Sequence, residues 1–498
     1  MNKIPFSAGH VVMVDIEGTV LDTDTADYLR NYQIRGVCLF RKNLVDAQQV
    51  RKLTADLREA IGPHALIGID QEGGAVARIT FLPQAPSAMA LGAIGDAAVA
   101  TEVGAAVSRG LRSMGINWNF APVIDVNNNP ANPVIAERSF GADPDQVTRM
   151  AGAWMRGALA EGVACCVKHF PGHGDTHLDS HHALPTVNKT VAELESLELR
   201  PFRALAATAP AMMTAHIVYP HIDPEHPATL SAKVLDGILR QSIGYRGVVI
   251  TDALMMKAVY DRYGHARAAV MALQAGADMV LAQGPRDEQV AALQAITAAQ
   301  RAGAVPAVRL EEARQRLEAL AQQFPASANH YSAQQQEHDD ALMRRTWAQA
   351  LCAVGAVQVP EKNTAIRVVT QDHVTSDGVS ATGLPCEAVR ALFDGFLDVE
   401  FVTLPSLLEV VPQNLPQDGR FNILVSNHRK RYGAQARALR PDLHLVLWNP
   451  FQVMDVDAPA IVTWGYADGA LAAARDWLLG RASVGALAPV SLVRLSRD

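Results

Sequence analysis

Residues 168–182 read Lys168-His169-Phe170-Pro171-Gly172-His173-Gly174-Asp175-Thr176-His177-Leu178-Asp179-Ser180-His181-His182. Five histidines, two aspartates and a lysine fall within fifteen positions, right after the apolar run 163–167. So much titratable chemistry on a loop marks a reaction site rather than a connection. Pro171, Gly172 and Gly174 forbid a regular helix at its start, so a shaped loop must carry these groups. Asp179 stands two residues before His181. A carboxylate there can turn back onto one ring nitrogen, fix the tautomer and let the imidazole donate and then accept a proton. The competing reading is a metal site: His173, His177 and His181 are four apart and would align on a helix. The loop's glycines and proline, and the lack of an H-E-x-x-H motif, speak against it, and no metal and no cofactor are expected. A solvated polar loop is the third reading.

A second group belongs to the same chemistry. Asp252 ends the apolar run 247–252, where a carboxylate suits a nucleophile or a stabiliser of a cationic transition state, or merely caps a helix. Asp70 and Arg78 flank a Gln71-Glu72-Gly73-Gly74 segment, Arg138 lies in Glu137-Arg138-Ser139-Phe140-Gly141, and Lys168-His169 end another run. Aspartate, arginines, lysine and histidine converging on one mouth suit a ligand rich in hydroxyls. The alternative is rim ion pairing, for which Arg138 has Glu137 beside it.

These residues need elements to bring them together. Short apolar runs recur at 11–15, 36–40, 65–70, 117–125, 163–169, 211–216, 247–252 and 277–282. Ala-rich segments of helical period lie between most of them, at 46–61, 96–114, 145–161, 192–207 and 287–301. Eight strands alternating with helices predict a (β/α)8 TIM-type barrel. Asp15, Asp70, Asp125, Lys168, His169, His216 and Asp252 all sit at or just past strand C-termini, which a barrel gathers on one face. A break at 324–329 and a helix over 334–350 lead to a second unit. There, strands at 365–370, 399–404, 421–426, 443–448 and 460–463 alternate with helices at 385–393 and 468–479. That predicts a smaller αβα sandwich with a mostly parallel sheet. The expected domains are 1–325 and 326–498. Neither carries G-x-G-x-x-G or a P-loop, so no nucleotide is assigned.

Composition excludes several classes. The chain has 498 residues, 44 basic and 51 acidic, for a net charge of -7. No basic run interleaved with aromatics suggests nucleic acid. No apolar stretch reaches the ~20 residues of a membrane span, and the first residues lack the apolar core of a signal peptide. Five scattered cysteines form neither a disulfide framework nor a zinc spacing, and adjacent Cys165 and Cys166 read as strand packing; a reducing cytoplasm is the expected location.

Taken together, the motifs resemble glycoside hydrolase family 3, in its β-N-acetylglucosaminidase branch. Lys168 to His181 matches that branch's K-H-[FI]-P-G-[HL]-G-x4-D-[ST]-H loop throughout. The segments at Asp70–Gly74, Glu137–Gly141 and Thr251-Asp252-Ala253-Leu254 also look like family segments, in family order. The resemblance covers about residues 8–320, and more weakly the rest, where Ala488-Pro489-Val490-Ser491-Leu492 is similar to the family's ending. It implies Asp252 as nucleophile, His181 as acid/base with Asp179 as its partner, and Asp70, Arg78, Arg138, Lys168 and His169 as contacts to a terminal N-acetylglucosamine. It implies hydrolysis with retention, through a covalent glycosyl-enzyme, on muropeptide or chitin-type oligosaccharides. A phosphorylase of the same family and a non-catalytic sugar-binding protein are the alternatives. Ala75 stands where relatives often carry arginine, which bears on preference beyond the first sugar. Every assigned group precedes residue 253, so catalysis is expected not to need the second domain. The oligomeric state is left open.

Overall fold

A computed structural model describes residues 6–179, 184–376, 383–408, 415–416 and 418–493. The eight predicted barrel strands all form. They are β1 (Val12–Asp15), β2 (Gly36–Leu39), β3 (Leu66–Ile69), β4 (Trp118–Asn119), β5 (Ala164–Phe170), β6 (Ala211–Thr214), β7 (Val248–Ala253) and β8 (Met279–Leu281). Each pairs in parallel with the next, and β8 pairs with β1, so the sheet closes. Near-continuous burial along the strands is what a parallel sheet covered by helices requires. Helices start where the sequence supplies caps: Asp46 accepts from Gln49 N–H, Asp96 from Ala98 N–H and Asp143 from Asp145 N–H.

Two predicted elements depart most from expectation. The run 117–125 keeps only two ladder residues, because Pro122 has no N–H to give the sheet. The helix predicted over 192–207 is two helices, Val191–Ser196 and Leu199–Leu205, broken where buried Glu198 turns to meet Lys189.

The helix Ala307–Gln323 closes the barrel side, and the helix Ala333–Gln349 begins the second part. The latter is pinned to the barrel by a half-buried pair, Arg109 Nη2 to the buried Asp339 Oδ1, at 2.6 Å. Beyond it lies a six-stranded sheet. Its strands are β9 (Cys352–Val354), β10 (Ile366–Gln371), β11 (Val399–Leu404), β12 (Phe421–Ser426), β13 (Leu443–Val446) and β14 (Ala460–Val462), ordered β9-β14-β13-β12-β10-β11. All pairs are parallel except β9 with β14, an antiparallel edge strand that the sequence reading did not foresee. Alternation fills both faces. Ile366, Val368, Ile423, Val425, Leu443 and Leu445 pack with Val389 and Trp477 on one side, while Val369, Leu424, Val446 and Val462 serve cores on the other. The far C-terminal segment returns to the barrel: the Ala142 N–H donates to Pro489 carbonyl, and Val490 and Leu492 pack with Met89 and Ala136. No helix among the described residues is long and apolar enough to cross a membrane.

Candidate active site

The C-terminal ends of the barrel strands enclose a cavity of about 220 Å³ whose lining includes Asp70, Arg78, Arg138, Lys168, His169 and Asp252. All six were assigned from sequence. The ladder shifts register between Val167 and Phe170 on β5, and between Ile250 and Ala253 on β7. Those irregularities hold Lys168, His169 and Asp252, and a bulge is how a strand re-aims a side chain toward a site.

The cavity wall is an ionised network. Lys168 Nζ lies 2.7 Å from Asp70 Oδ1 and 2.7 Å from Glu72 Oε1. Arg138 grips Glu72 with two parallel bonds of 2.8 Å, the fork geometry that suits guanidinium and carboxylate. Arg78 Nη2 is 3.5 Å from Asp70 Oδ2. Burial by itself would raise both carboxyls. The neighbouring cations outweigh it, with Lys168 and Arg78 holding Asp70 below its ordinary range and Arg138 and Lys168 holding Glu72 well below. By the same pairing, against burial, the Lys168 and Arg138 values are raised. Glu72 lies in the Gln71-Glu72-Gly73-Gly74 segment but carries no role in the sequence-based assignment. Its signal was the Arg138 that needed a partner; the sequence neighbour Glu137 is not that partner, since adjacent residues point apart, and Glu137 faces the second domain instead.

Behind this wall sits Asp125, fully buried. It accepts from the backbone N–H of His169 and His173 and from His169 Nδ1 at 2.7 Å. The hydrogen bonds and His169 lower its pKa despite burial. Asp125 thus sets the tautomer of His169, whose Nε2 stands 3.5 Å from Arg138 Nη2. His216 lies beside β7, with Nε2 donating to the Ala253 carbonyl at 3.0 Å. Asp15 is outside the cavity, held by Lys42 and the Gly284 N–H.

Asp252 is half-buried, and its Oδ1 accepts the Ala253 N–H at 2.8 Å. Asp179 is half-buried at the end of the histidine-rich loop, and His181 lies outside the described residues. The loop up to Asp179 is a run of turns and bends, so the helical alignment that a three-histidine metal site would use is not formed there. His173 is buried with Nδ1 2.9 Å from Thr176 Oγ1, while His177 is exposed beside Asn129. Burial, with His169 nearby, pushes the His173 pKa down to about 4. It is neutral at pH 7 and poorly suited to donate a proton. Asn132 ties this loop down, donating to the carbonyls of His173 and Gly174 at 2.7 and 3.1 Å. Gly174 permits the approach: a Cβ there would fall 1.7 Å from the Val126 carbonyl oxygen.

A wider cleft of about 700 Å³ adjoins the cavity and shares Phe40, Arg78, Met255 and Gln283 with it. Ala75 lines this cleft, and the second domain contributes Tyr466, Ala467 and Asp468 to it.

Residues 8–320 match the model of the glycosyl hydrolase family 3 N-terminal domain. A β-N-acetylglucosaminidase structure of that family from Paenibacillus sp. aligns with 98% of this chain and 99% of its own, with TM-score 0.86 and 33% identity. The β-hexosaminidase of Pseudomonas aeruginosa is 36% identical over 311 residues, 61% of this chain and 90% of that protein. β-Hexosaminidase A of Pseudoalteromonas piscicida is 39% identical over 288 residues, 53% of this chain but only 48% of that longer protein.

Proposed function

The chain belongs to glycosyl hydrolase family 3, and from that footing we propose that it is an exo-acting β-N-acetylhexosaminidase that releases terminal N-acetylglucosamine with retention of configuration. The observation that carries this reading is that Asp252 shares one small cavity with the ionised Asp70–Lys168–Glu72–Arg138 network. A cavity of about 220 Å³ admits one sugar ring and favours cleavage from a chain end. Asp70, Arg78, Arg138, Lys168 and His169 bind its hydroxyls and fix the anomeric carbon over Asp252. The Asp252 carboxylate attacks that carbon as the glycosidic C–O bond breaks, and His181, oriented by Asp179, gives its proton to the departing oxygen. The same imidazole then takes a proton from water, whose oxygen displaces Asp252 and restores the β-anomer. Usual retaining glycosidases use two carboxyls for these roles; here a histidine pair serves as the second.

The leaving group occupies the adjoining cleft, where Ala75 and the second domain's Tyr466 and Asp468 meet it. Muropeptide and chitin-type fragments both present a suitable second sugar. All five cysteines are buried and unpaired, in keeping with a reducing compartment such as the cytoplasm.

The test is turnover of an aryl β-N-acetylglucosaminide against the matching β-glucoside, with the product anomer followed by NMR. Preference for the acetamido sugar and a β-product support the reading. Sugar 1-phosphate formed in phosphate buffer would assign a phosphorylase instead, and binding without turnover a sugar-binding protein.

A further inference from the structure

The barrel loop that carries Arg138 is held from outside the barrel. Arg138 Nη1 donates to the Val134 carbonyl at 3.3 Å, and Arg429 Nη2, from the second domain, donates to the same oxygen. Next to Arg138, the Glu137 carboxylate accepts the Trp448 indole N–H at 2.9 Å, and its other oxygen is 3.8 Å from Arg429 Nε. The three side chains are sealed from water, with exposures of 1% for Glu137, 7% for Arg429 and 1% for Trp448. Arg429 is itself anchored: Asn449 Nδ2 donates to its carbonyl at 2.8 Å. Two residues on, Arg431 pairs with Asp455 and donates to the Pro130 carbonyl at 2.8 Å. Between these contacts the loop passes through Ala136 at φ 37, a left-handed conformation that a residue with a Cβ keeps only when its surroundings impose it.

On its inner side the same loop holds the chemistry. Arg138 grips Glu72, and Asn132 accepts the Val134 and Ile135 N–H groups while donating to His173 and Gly174. One short segment therefore joins the second domain to the sugar-binding arginine and to the loop that leads to Asp179.

We propose that Arg429 and Trp448 are positioning residues: they act through Glu137 and Val134 to set Arg138 against the bound sugar, so the second domain takes part in catalysis although its own groups do not touch the reacting atoms. This rests on the reading that Arg138 contacts the terminal sugar. A buried carboxylate that loses its cation must shift or draw in water. Glu137 is bonded directly to Arg138 in the chain, and a misplacement near 1 Å at a reacting site can cost about a hundredfold. The expectation that catalysis needs only residues before 253 gives way to one in which the barrel holds the catalytic groups and the second domain sets one of them.

The test uses the full chain and an aryl β-N-acetylglucosaminide, with Arg429→Met, Trp448→Phe, Arg138→Lys and the Arg138→Lys/Arg429→Met double variant. Arg367→Met is the control, because Arg367 is an equally buried arginine whose partners Glu400 and Asp418 lie within the second domain. Arg429→Met and Trp448→Phe are expected to lose about tenfold to a hundredfold in kcat/KM, and Arg367→Met less than about twofold. Added guanidinium should partly rescue an Arg429→Ala variant. In the Arg138→Lys background, Arg429→Met should add little, since both act at one point. Wild-type kcat/KM for Trp448→Phe and Arg429→Met, full multiplicativity with Arg138→Lys, or an equal loss in Arg367→Met would each overturn the proposal. If Arg429→Met does not fold, Trp448→Phe, which keeps an aromatic ring but removes the indole N–H with the ring that bears it, decides alone. Wild-type kinetics for Arg138→Lys would instead remove the sugar-contact reading on which the proposal stands.

Discussion

Glu72 and Glu137 are both buried carboxylates within reach of the Arg138 loop, and their surroundings differ in kind. Glu72 is met by a guanidinium fork at 2.8 Å and an ammonium at 2.7 Å, all from the barrel. Glu137 is met by an indole N–H and a more distant guanidinium, both from the second domain, beside a seam packed with Trp347, Phe451 and Trp464. The first region is tight and charged, and it faces a cavity. The second is chiefly apolar packing crossed by a few polar contacts, among them Trp448 to Glu137 and Arg429 to the Val134 carbonyl. The molecule thus divides labour: close ion pairs order the cavity wall, while shape and a few polar contacts join the domains.

The largest effect expected from breaking this arrangement is at Asp252. Asp252→Ala should lower turnover by about 10⁵-fold or more with an unchanged unfolding midpoint, because a half-buried carboxylate at the cavity contributes little to the core. A variant retaining a tenth of wild-type kcat contradicts the assignment. Next come the charged wall residues. Arg138→Met strands Glu72 with only Lys168, so it should cost both about 10²-fold in kcat/KM and about 3–5 kcal/mol of stability. Urea denaturation alongside kinetics checks both, and a kinetic loss alone would mean that the pair is not structural.

The third expectation concerns pH. Burial pushes His173 to about 4 in the folded protein, against about 6.5 unfolded. Between these values the unfolded chain binds more protons, so stability is full above pH 6.5 and falls as the pH drops toward 4, by up to about 1.4 kcal/mol per unit. His173→Gln should remove that slope, leaving those of His10 and His428, which burial also pushes to about 4. An unchanged slope in the variant counts against a buried neutral His173. The smallest effect is at Ala75, in the outer cleft. Ala75→Arg should leave aryl glycoside turnover within about twofold but alter kcat/KM for a disaccharide. Equal effects on both substrates would mean that Ala75 does not report on the leaving group.

Much of this was legible in the sequence where the signal is local. Each barrel strand is a compact apolar run, and the polar residues at strand ends became one face because closure leaves them nowhere else. What stayed hidden depends on pairing across the chain. Nothing near Arg138 in sequence says that its partner is Glu72, 66 residues away. Glu137, adjacent to it, looked like the partner and instead faces Trp448, 311 residues on. The three-residue edge strand β9 is too short to show a period, and exists because β14 offers it a free edge. Asp125 was visible as a strand-end carboxylate, but its role of holding two histidines needed the turn of the loop after β5. His181 falls outside the described residues, so its role rests on the match of the surrounding motif.

Covalent trapping tests the role of Asp252 most directly. The wild-type enzyme is incubated with an activated fluoro-sugar bearing the acetamido sugar's configuration, then digested, and the labelled peptide is sequenced by mass spectrometry. One glycosyl group esterified to Asp252 is expected, with recovery of activity as the ester hydrolyses. A label on another carboxylate such as Asp70 or Asp179, or inhibition without any covalent adduct, would contradict it.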